Sequence, residues 1–304
     1  MTVTSYVAQD FLWVLSTALA SWRRMSLSLL QAAAMLSTAS LRVAVFGGHG
    51  TAGPWHGRID HGSYTVDALK MLPGVDAFIV KADDYFVTPA FNRNAVNIVW
   101  FPGGGAHAYG NVIGDRGIAA IRYFVASGGG GYIGACAGAY FASSCVSSTP
   151  PHGRGPPCAG PGGGPGPGAK GPLRFLNADT LEPFNRGDGY PSINITAEGR
   201  KLLNVPFDSL KNVTYADGPM LIPMPGLDKN YEELAHFTSE VNTVQPARTR
   251  GQMLGKPAVV WAKHGNGTAL ATVVHAELSI GDRSVDTPNL LKLLKGFLDV
   301  AAPR

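Results

Sequence analysis

The sequence of 304 residues has few charged residues, few cysteines and no apolar run long enough to cross a bilayer. Charged residues make up 15% of the chain, and the formal net charge is +4 at pH 7. No lysine- and arginine-rich stripe with interleaved aromatic residues is present, so a nucleic-acid partner is not expected. The three cysteines, Cys136, Cys145 and Cys158, are too few for a disulfide framework. We therefore expect free thiols, above all for Cys136.

No metal signature, dinucleotide fingerprint or phosphate-binding loop is found in the sequence, so neither a metal nor a cofactor is predicted. The composition suits a compact protein with a sizeable core, because hydrophobic residues make up 45% of the chain. A small-molecule substrate is the expected partner, and the oligomeric state is left open.

Residues 1–40 differ in composition from the rest of the chain. They contain a single acidic residue, Asp10, the pair Arg23 and Arg24, and many Ser, Thr and Ala residues. This pattern is typical of an organelle transit peptide, and equally of a secretory signal. A poorly ordered extension, or a true start at Met25, would also account for it. We expect a targeting or disordered extension here and leave the compartment open.

From Leu41 onward, apolar segments typical of buried strands alternate with amphipathic segments typical of helices. Strands are predicted at 41–46, 75–81, 95–101 and 130–135, and helices at 64–72 and 115–128. This alternation predicts an α/β fold with a parallel sheet covered on both faces. The later part of the chain predicts further strands, two of them around the GNG turn at 265–267, and a final helix at 287–300.

Residues 147–172 interrupt this pattern, because they consist almost entirely of Pro, Gly and small residues. Such a segment cannot bury enough apolar surface to fold. We predict a disordered surface insertion in one domain spanning 41–300, with Cys158 incidental to function.

The segment GYIGACAGAYFAS, residues 131–143, places a cysteine among small residues directly after an apolar strand. A sharp strand-to-helix turn strains the turn residue, and Gly134 and Gly138 would relieve the crowding around Cys136. The G-x-C-x-G pattern therefore predicts a nucleophile elbow, with the sulfur at a helix N-terminus that favours the thiolate. The N–H of Ala137 would face the oxyanion formed on an attacked carbonyl. The alternative is a small buried hydrophobic side chain.

A cysteine nucleophile requires a general base, and the base requires a group that orients it. Of the eight histidines, only His275 is followed two residues later by an acidic residue, Glu277. Residues i and i+2 of an extended backbone share a face, and a late parallel strand would deliver both to the elbow. A purely structural histidine is the alternative. Gly104 and Gly105, after the third strand, are candidates for the second half of the oxyanion hole.

Three segments resemble a known family: residues 99–143, YADGP at 215–219 and VVHAEL at 273–278. They are similar to the amino-terminal domain of eukaryotic biotin-protein ligases and its stand-alone relatives, in the class I glutamine amidotransferase-like superfamily. The resemblance extends more loosely over 41–300. It implies a flavodoxin-like three-layer α/β/α sandwich with a mostly parallel central sheet. It also implies a Cys–His–Glu triad, which maps onto Cys136, His275 and Glu277.

Two positions depart from the superfamily pattern. Amidotransferases usually carry Gln, a contact for substrate glutamine, where this chain has Tyr140, and this departure argues against glutaminase activity. Ala276 replaces the usual proline of H-P-E, a mild change. No G-R-G-R-type ligase loop is present, so attachment of biotin is not expected.

The resulting hypothesis is a Cys–His–Glu hydrolase or amidotransferase-like enzyme that attacks a carbonyl or amide carbon of a small molecule. Two alternatives remain: a non-catalytic binding or regulatory module, and a thiol redox sensor. Turns after parallel strands converge at one edge of a sheet, and Tyr140 follows the elbow. The candidate pocket residues are His49, His107, Tyr109, Tyr140 and Asp217.

Overall fold

A computed structural model of the chain describes residues 40–51, 60–81, 84–148, 173–182, 188–224, 226–241, 253–280 and 286–303. Within these ranges the side chains of residues 106, 107, 146–148, 181, 182 and 188 are not described. The predicted N-terminal extension lies outside the described residues except for Ser40. Of the predicted Pro/Gly-rich insertion, only Ser147 and Ser148 lie inside them.

The strands are, in chain order, β1 (Leu41–Phe46), β2 (Val75–Val80), β3 (Ile98–Phe101), β4 (Gly131–Ala135), β5 (Ser143–Ser148), β6 (Leu176–Glu182), β7 (Asp188–Gly189), β8 (Ile193–Ile195), β9 (Ser209–Leu210), β10 (Tyr215–Ala216), β11 (Met220–Pro223), β12 (Glu232–Phe237), β13 (Pro257–His264) and β14 (Gly267–Thr272). The helices are α1 (His61–Lys70), α2 (Ala106–Ala126), α3 (Ala137–Ala142), α4 (Ala197–Leu203) and α5 (Thr287–Ala301), with a short 3-10 helix at Tyr85–Val87.

Nine strands form the central sheet, in the order β2-β1-β3-β4-β14-β13-β12-β8-β9. The pairings from β2 to β14 are all parallel. Beyond β14, antiparallel pairings reverse the direction at β13 and again at β8, so these two strands alone oppose the others of this sheet. The mostly parallel sheet predicted from the sequence is confirmed.

The core of this sheet lies in β1, β3, β4 and β14. All residues of β3 and β4 are buried, as expected for parallel strands that are covered on both faces. The connection β1–α1–β2 moves across the sheet in the direction opposite to β3–α2–β4. Because such crossovers are right-handed, α1 and α2 cover opposite faces. This arrangement is the predicted α/β/α sandwich.

Several element boundaries differ from the sequence-based expectation by a few residues, and two of the differences bear on the site. Helix α2 begins at Ala106, so it includes residues predicted as loop, and Gly114 kinks it with φ 66° and ψ 174° before the predicted helix continues. Strand β14 ends at Thr272, and the chain bends before His275 rather than remaining extended. Both differences arise from local backbone conformations, a kink and a bend, which the spacing of apolar residues does not predict.

The cysteines are in two different states. Cys136 has a free thiol, whereas Cys145, in β5, is disulfide-bonded. The expectation of free thiols therefore holds for Cys136 and is wrong for Cys145. None of the helices in the described ranges is both long and apolar enough to cross a membrane.

The central position of β14 leads to a stability prediction. Leu270 is fully buried opposite Ile133 of β4, and Leu270→Ala is expected to lower the free energy of unfolding by about 2–5 kcal/mol, because it leaves a cavity. Leu254 is 50% exposed, so the matched Leu254→Ala variant is expected to change stability by less than about 0.5 kcal/mol. Urea unfolding measures both, and equal effects would contradict the assignment of β14 to the core.

Candidate active site

Cys136 lies at the junction between a buried strand and a helix. It directly follows β4 and is the N-cap residue of α3, with φ 50° and ψ −101°. A positive φ is rare for a residue with a side chain and costs on the order of 1–3 kcal/mol. Its own N–H donates to the Thr272 carbonyl at 2.9 Å, which fixes the strained residue against β14.

Gly134 and Gly138 make the close approach at this turn feasible. A Cβ on Gly134 would overlap the backbone of Gly138, and a Cβ on Gly138 would overlap the Phe101 carbonyl oxygen. The Gly138 N–H donates to Pro102 O at 3.3 Å, so the turn is also bonded to the loop after β3. Both glycines are thus required by backbone packing, as expected for an elbow.

His275 reaches the same edge of the sheet from the neighbouring strand. Strands β4 and β14 are parallel neighbours, with Ala135 opposite Thr272. Cys136 follows one of these paired residues, and His275 comes three residues after the other. The two side chains are therefore delivered together by strand register, although 139 residues separate them in the sequence.

A buried carboxylate orients the imidazole of His275. Nδ1 of His275 lies 2.8 Å from Oε1 of Glu277, and both side chains are fully buried. In this arrangement Nδ1 carries a proton and donates a hydrogen bond to the carboxylate, so Nε2 is the atom that can exchange a proton. Nε2 has no partner of ordinary hydrogen-bond geometry among the described residues, although the Cys136 side chain lies near enough to affect the pKa of His275. Oε2 of Glu277 also has no such partner among them.

Charge interactions set the protonation of His275. Burial by itself lowers the pKa of His275, but the Glu277 carboxylate and the Cys136 sulfur outweigh it and raise the pKa to about 10. The imidazolium form is thus favoured beside the cysteine. The Cys136 residue is 6% exposed, and its Sγ lies 3.2 Å from the Ala216 carbonyl oxygen, to which it can donate a hydrogen bond.

The glycine loop after β3 lies against the imidazole. A Cβ on Gly103 would overlap Cε1 of His275, and a Cβ on Gly104, which has φ 141°, would overlap the Gly50 carbonyl. The N–H of Gly105 donates to that same Gly50 carbonyl at 2.8 Å. Gly105 therefore does not present the free oxyanion donor expected from the sequence, because its N–H is already bonded.

The remaining candidate donors are the N–H groups of Gly104 and Ala137, for which no acceptor is found among the described residues. Tyr109 supports this loop from beneath: it is fully buried, and its hydroxyl lies 3.0 Å from Pro102 O and 2.8 Å from Gly103 O. Burial raises the pKa of Tyr109 well above its usual value, and the nearby Cys136 adds to this. Tyr109 thus shapes the loop as a neutral phenol.

The segment YADGP covers the sulfur from the opposite side. Ala216 accepts the Cys136 hydrogen bond, and the Tyr140 hydroxyl lies 3.4 Å from the backbone oxygen of Asp217. Asp217 is half-buried and has a positive φ of 48°. Ser279 connects the start of this segment to His275: its hydroxyl lies 2.7 Å from Oγ1 of Thr214, the residue before YADGP, and 3.0 Å from the His275 carbonyl oxygen.

Two candidate pocket residues are not placed at this cluster by any described contact. His49 is exposed in the turn after β1, and no contact places it at the sulfur. His107 lies in the first turn of α2, and its side chain is outside the described residues. Among the described residues, no group of three His, Cys, Asp or Glu side chains is arranged to hold a metal ion.

His61 is a site residue that sequence reasoning missed. It is the first residue of α1 and 2% exposed, and its ring stacks on that of His275 with centroids 5.5 Å apart and planes at 29°. An Asp–His pair just before an amphipathic segment, as at Asp60 and His61, was the available signal. It marks a helix start and not a catalytic role.

Comparisons with known proteins agree with the fold. Residues 63–150 match the family model described as "Biotin-protein ligase, N terminal", which confirms the resemblance of that segment. No curated protein matches the chain.

Two solved structures are similar in fold. A glutamine amidotransferase has a TM-score of 0.52 and 18% identity, with 85% of this chain and 98% of that chain covered. PurLQS from Thermotoga maritima has a TM-score of 0.52 and 13% identity, with 86% and 98% covered. Identities this low show the fold alone, and the fold is amidotransferase-like.

The elbow generates a prediction about backbone packing. Gly138→Ala forces a methyl group onto the Phe101 carbonyl, and we expect destabilisation by about 1–3 kcal/mol or more. Gly105→Ala is the matched control for folding, since its nearest neighbour would lie 3.8 Å away and its φ is −99°. Thermal unfolding compares the two variants, and a Gly138→Ala protein as stable as Gly105→Ala would contradict the elbow geometry.

The buried His275–Glu277 pair predicts a pH dependence of stability. The pKa of His275 rises from 6.5 to about 10 on folding, so the folded state holds more protons between these values. The stabilisation is complete below about pH 6.5 and is lost as pH rises towards about 10. We expect the free energy of unfolding to fall with pH over this window in the wild type, and more weakly in His275→Gln. Parallel pH profiles would be inconsistent with the pair.

Proposed function

We propose that this protein is a cysteine-nucleophile hydrolase or amidotransferase-like enzyme that acts on a carbonyl or amide carbon of a small molecule. Cys136 is its nucleophile, His275 its general acid and base, and Glu277 the group that orients the base. The observation that carries this proposal is the buried His275–Glu277 pair, 2.8 Å apart, beside a strained cysteine at a strand end. In the same proposal, residues 41–300 form one domain, and residues 147–172 are an insertion in it.

The first half of the reaction forms a thioester. In the reactive state Nε2 of His275 holds the proton that the Cys136 thiol has given up, so a thiolate lies beside an imidazolium. The sulfur electron pair attacks the substrate carbonyl carbon. The carbonyl π electrons move to oxygen, and the N–H groups of Gly104 and Ala137 are the candidate donors to that oxyanion. When the oxyanion collapses, the carbon–leaving-group bond breaks, and His275 returns its proton to the departing amine or alcohol.

The second half regenerates Cys136. Neutral His275 takes a proton from water or an acceptor amine as that molecule attacks the thioester carbon; the carbon–sulfur bond then breaks, and the sulfur leaves as a thiolate beside the protonated His275. Glu277 stabilises the imidazolium in both halves, and the raised pKa of His275 supports this role. The contact between Sγ and the Ala216 carbonyl must be broken for a substrate to enter.

Tyr140 bears on the choice of substrate. It lies where the resemblance implies a Gln that contacts substrate glutamine, and its hydroxyl is directed to the Asp217 backbone instead. A phenol of this size cannot reproduce an amide's paired donor and acceptor. We therefore propose a substrate other than glutamine.

One observation favours a non-catalytic binding module as the second candidate. The cysteine residue is 6% exposed, and its sulfur is already bonded to Ala216. In that case Cys136→Ala would retain all biological activity, whereas the enzyme hypothesis requires its loss.

The reactivity of Cys136 tests the proposed function. We expect iodoacetamide to modify Cys136 stoichiometrically at about pH 6, where an ordinary thiol with a pKa of about 8.5 is almost unreactive. His275→Gln is expected to slow this reaction on the order of 10²-fold, since the sulfur then has no imidazolium beside it. His236→Gln is the matched control, because His236 pairs with Glu233 on β12, away from Cys136.

Intact-protein mass spectrometry after exposure to glutamine analogues and a panel of electrophilic acyl donors extends this test. An acyl adduct on Cys136 that Cys136→Ala abolishes would support thioester chemistry. A wild-type thiol that reacts no faster than free cysteine would overturn the proposal.

A further inference from the structure

The site contains two imidazoles, and the proposed triad uses only one of them. His61 and His275 are both buried, at 2% and 0% exposure, and their rings are stacked with centroids 5.5 Å apart. Aromatic rings 4.5–7 Å apart interact beyond the simple burial of area.

The position of His61 is fixed by helix α1. Asp60 caps this helix by accepting from Gly62 N at 3.1 Å and Ser63 N at 3.3 Å, and Thr65 Oγ1 donates to the His61 carbonyl at 2.8 Å. The backbone that carries the ring is thus held at both sides. His61 therefore approaches the base from a rigid element, independent of the strands that carry the triad.

Gly103 shows how tightly the two rings are packed. A Cβ on this residue would overlap Cε1 of His275 and lie 3.1 Å from Nδ1 of His61. Both rings therefore press against the same glycine. The imidazole of His275 is confined by Gly103 at one edge and by the His61 ring on one face, so rotation about its side-chain bonds is restricted.

The surrounding charges determine which ring holds a proton. The titratable groups that act on His275 are Glu277 and Cys136, with His61 on its face and Tyr109 near the same two partners. Glu277 favours the cation on His275. The stacked His61 ring presents its face to that cation, which is the attractive arrangement for a cation over an aromatic ring.

We propose that His61 is a positioning residue for the triad: its ring stacks on His275 and stabilises the imidazolium in the orientation that Cys136 requires. The predicted effect of His61 on the reactivity of Cys136 rests on the proposed function. The predicted effect of stacking on the pKa of His275 does not depend on that function.

Two substitutions of similar volume test this role. His61→Leu fills the space without a π face, and His61→Phe keeps the π face without a titratable nitrogen. The matched control is His236→Phe, on β12. Circular dichroism and thermal unfolding establish that each variant is folded.

The first measurement is the NMR titration of the His275 ring in each protein. We expect His61→Leu to lower the midpoint by about 0.5–1.5 pH units, which corresponds to the strength of a buried cation–π contact. His61→Phe and His236→Phe should stay within about 0.3 unit of wild type on the same scale.

The second measurement is the pH profile of Cys136 alkylation. Because a less stable imidazolium supports the thiolate less well, we expect the acid limb in His61→Leu to move to higher pH by a similar amount, which is about three- to thirtyfold in rate below neutrality. His61→Phe should retain the wild-type profile. A merely structural role would lower stability in both variants without separating them in either profile.

The outcomes distinguish this inference from the proposed function. An unchanged His275 midpoint in His61→Leu, or an equal loss in His61→Phe, would overturn the positioning role even if wild-type Cys136 is reactive. Conversely, an unreactive wild-type thiol would overturn the enzyme hypothesis, while the NMR comparison would still decide whether His61 acts on His275.

Discussion

The positive φ of Cys136 is the constraint on which the rest of the site depends. At φ 50° the chain leaves β4 and enters α3 within one residue, so the sulfur is held at the strand end. This conformation survives because surrounding bonds over-determine it: the Cys136 N–H is held by Thr272 and the Gly138 N–H by Pro102. These bonds attach β14 and the loop after β3 to the strained turn. The same bonds therefore position His275, which follows β14, and the glycine loop, which follows β3.

Two buried polar atoms of the site lack the hydrogen bonds that such atoms usually make in a protein core. Nε2 of His275 and Oε2 of Glu277 are buried without hydrogen-bond partners in the described part of the chain, and each such group costs about 1–3 kcal/mol. An apolar pair of the same shape would pack β14 more favourably. Unsatisfied polar atoms and backbone strain at the same strand end are the combination found where stability has been exchanged for chemistry.

The sequence predicted the parts of the site that local pattern determines. The elbow could be predicted because Gly134 and Gly138, two residues on either side of Cys136, reflect a local steric requirement. Glu277 could be predicted because it lies two residues after His275. Gly105 was assigned wrongly, since its N–H bond to Gly50 depends on a turn 55 residues earlier. His61 was missed for the same reason: its contact with His275 crosses the sheet from α1, and no periodicity in either segment reports it.

The segment after β9 adds a final constraint on what the site can do. Thr214 accepts from the His275 N–H at 2.8 Å, and Ala216, two residues later, accepts from the Cys136 sulfur. One short stretch of chain therefore contacts both Cys136 and His275. The Ala216 carbonyl occupies a hydrogen-bonding position at the sulfur, and the Thr214 bond attaches the same stretch to the backbone of His275. The surroundings of the two side chains are thus set by one segment rather than by two independent ones.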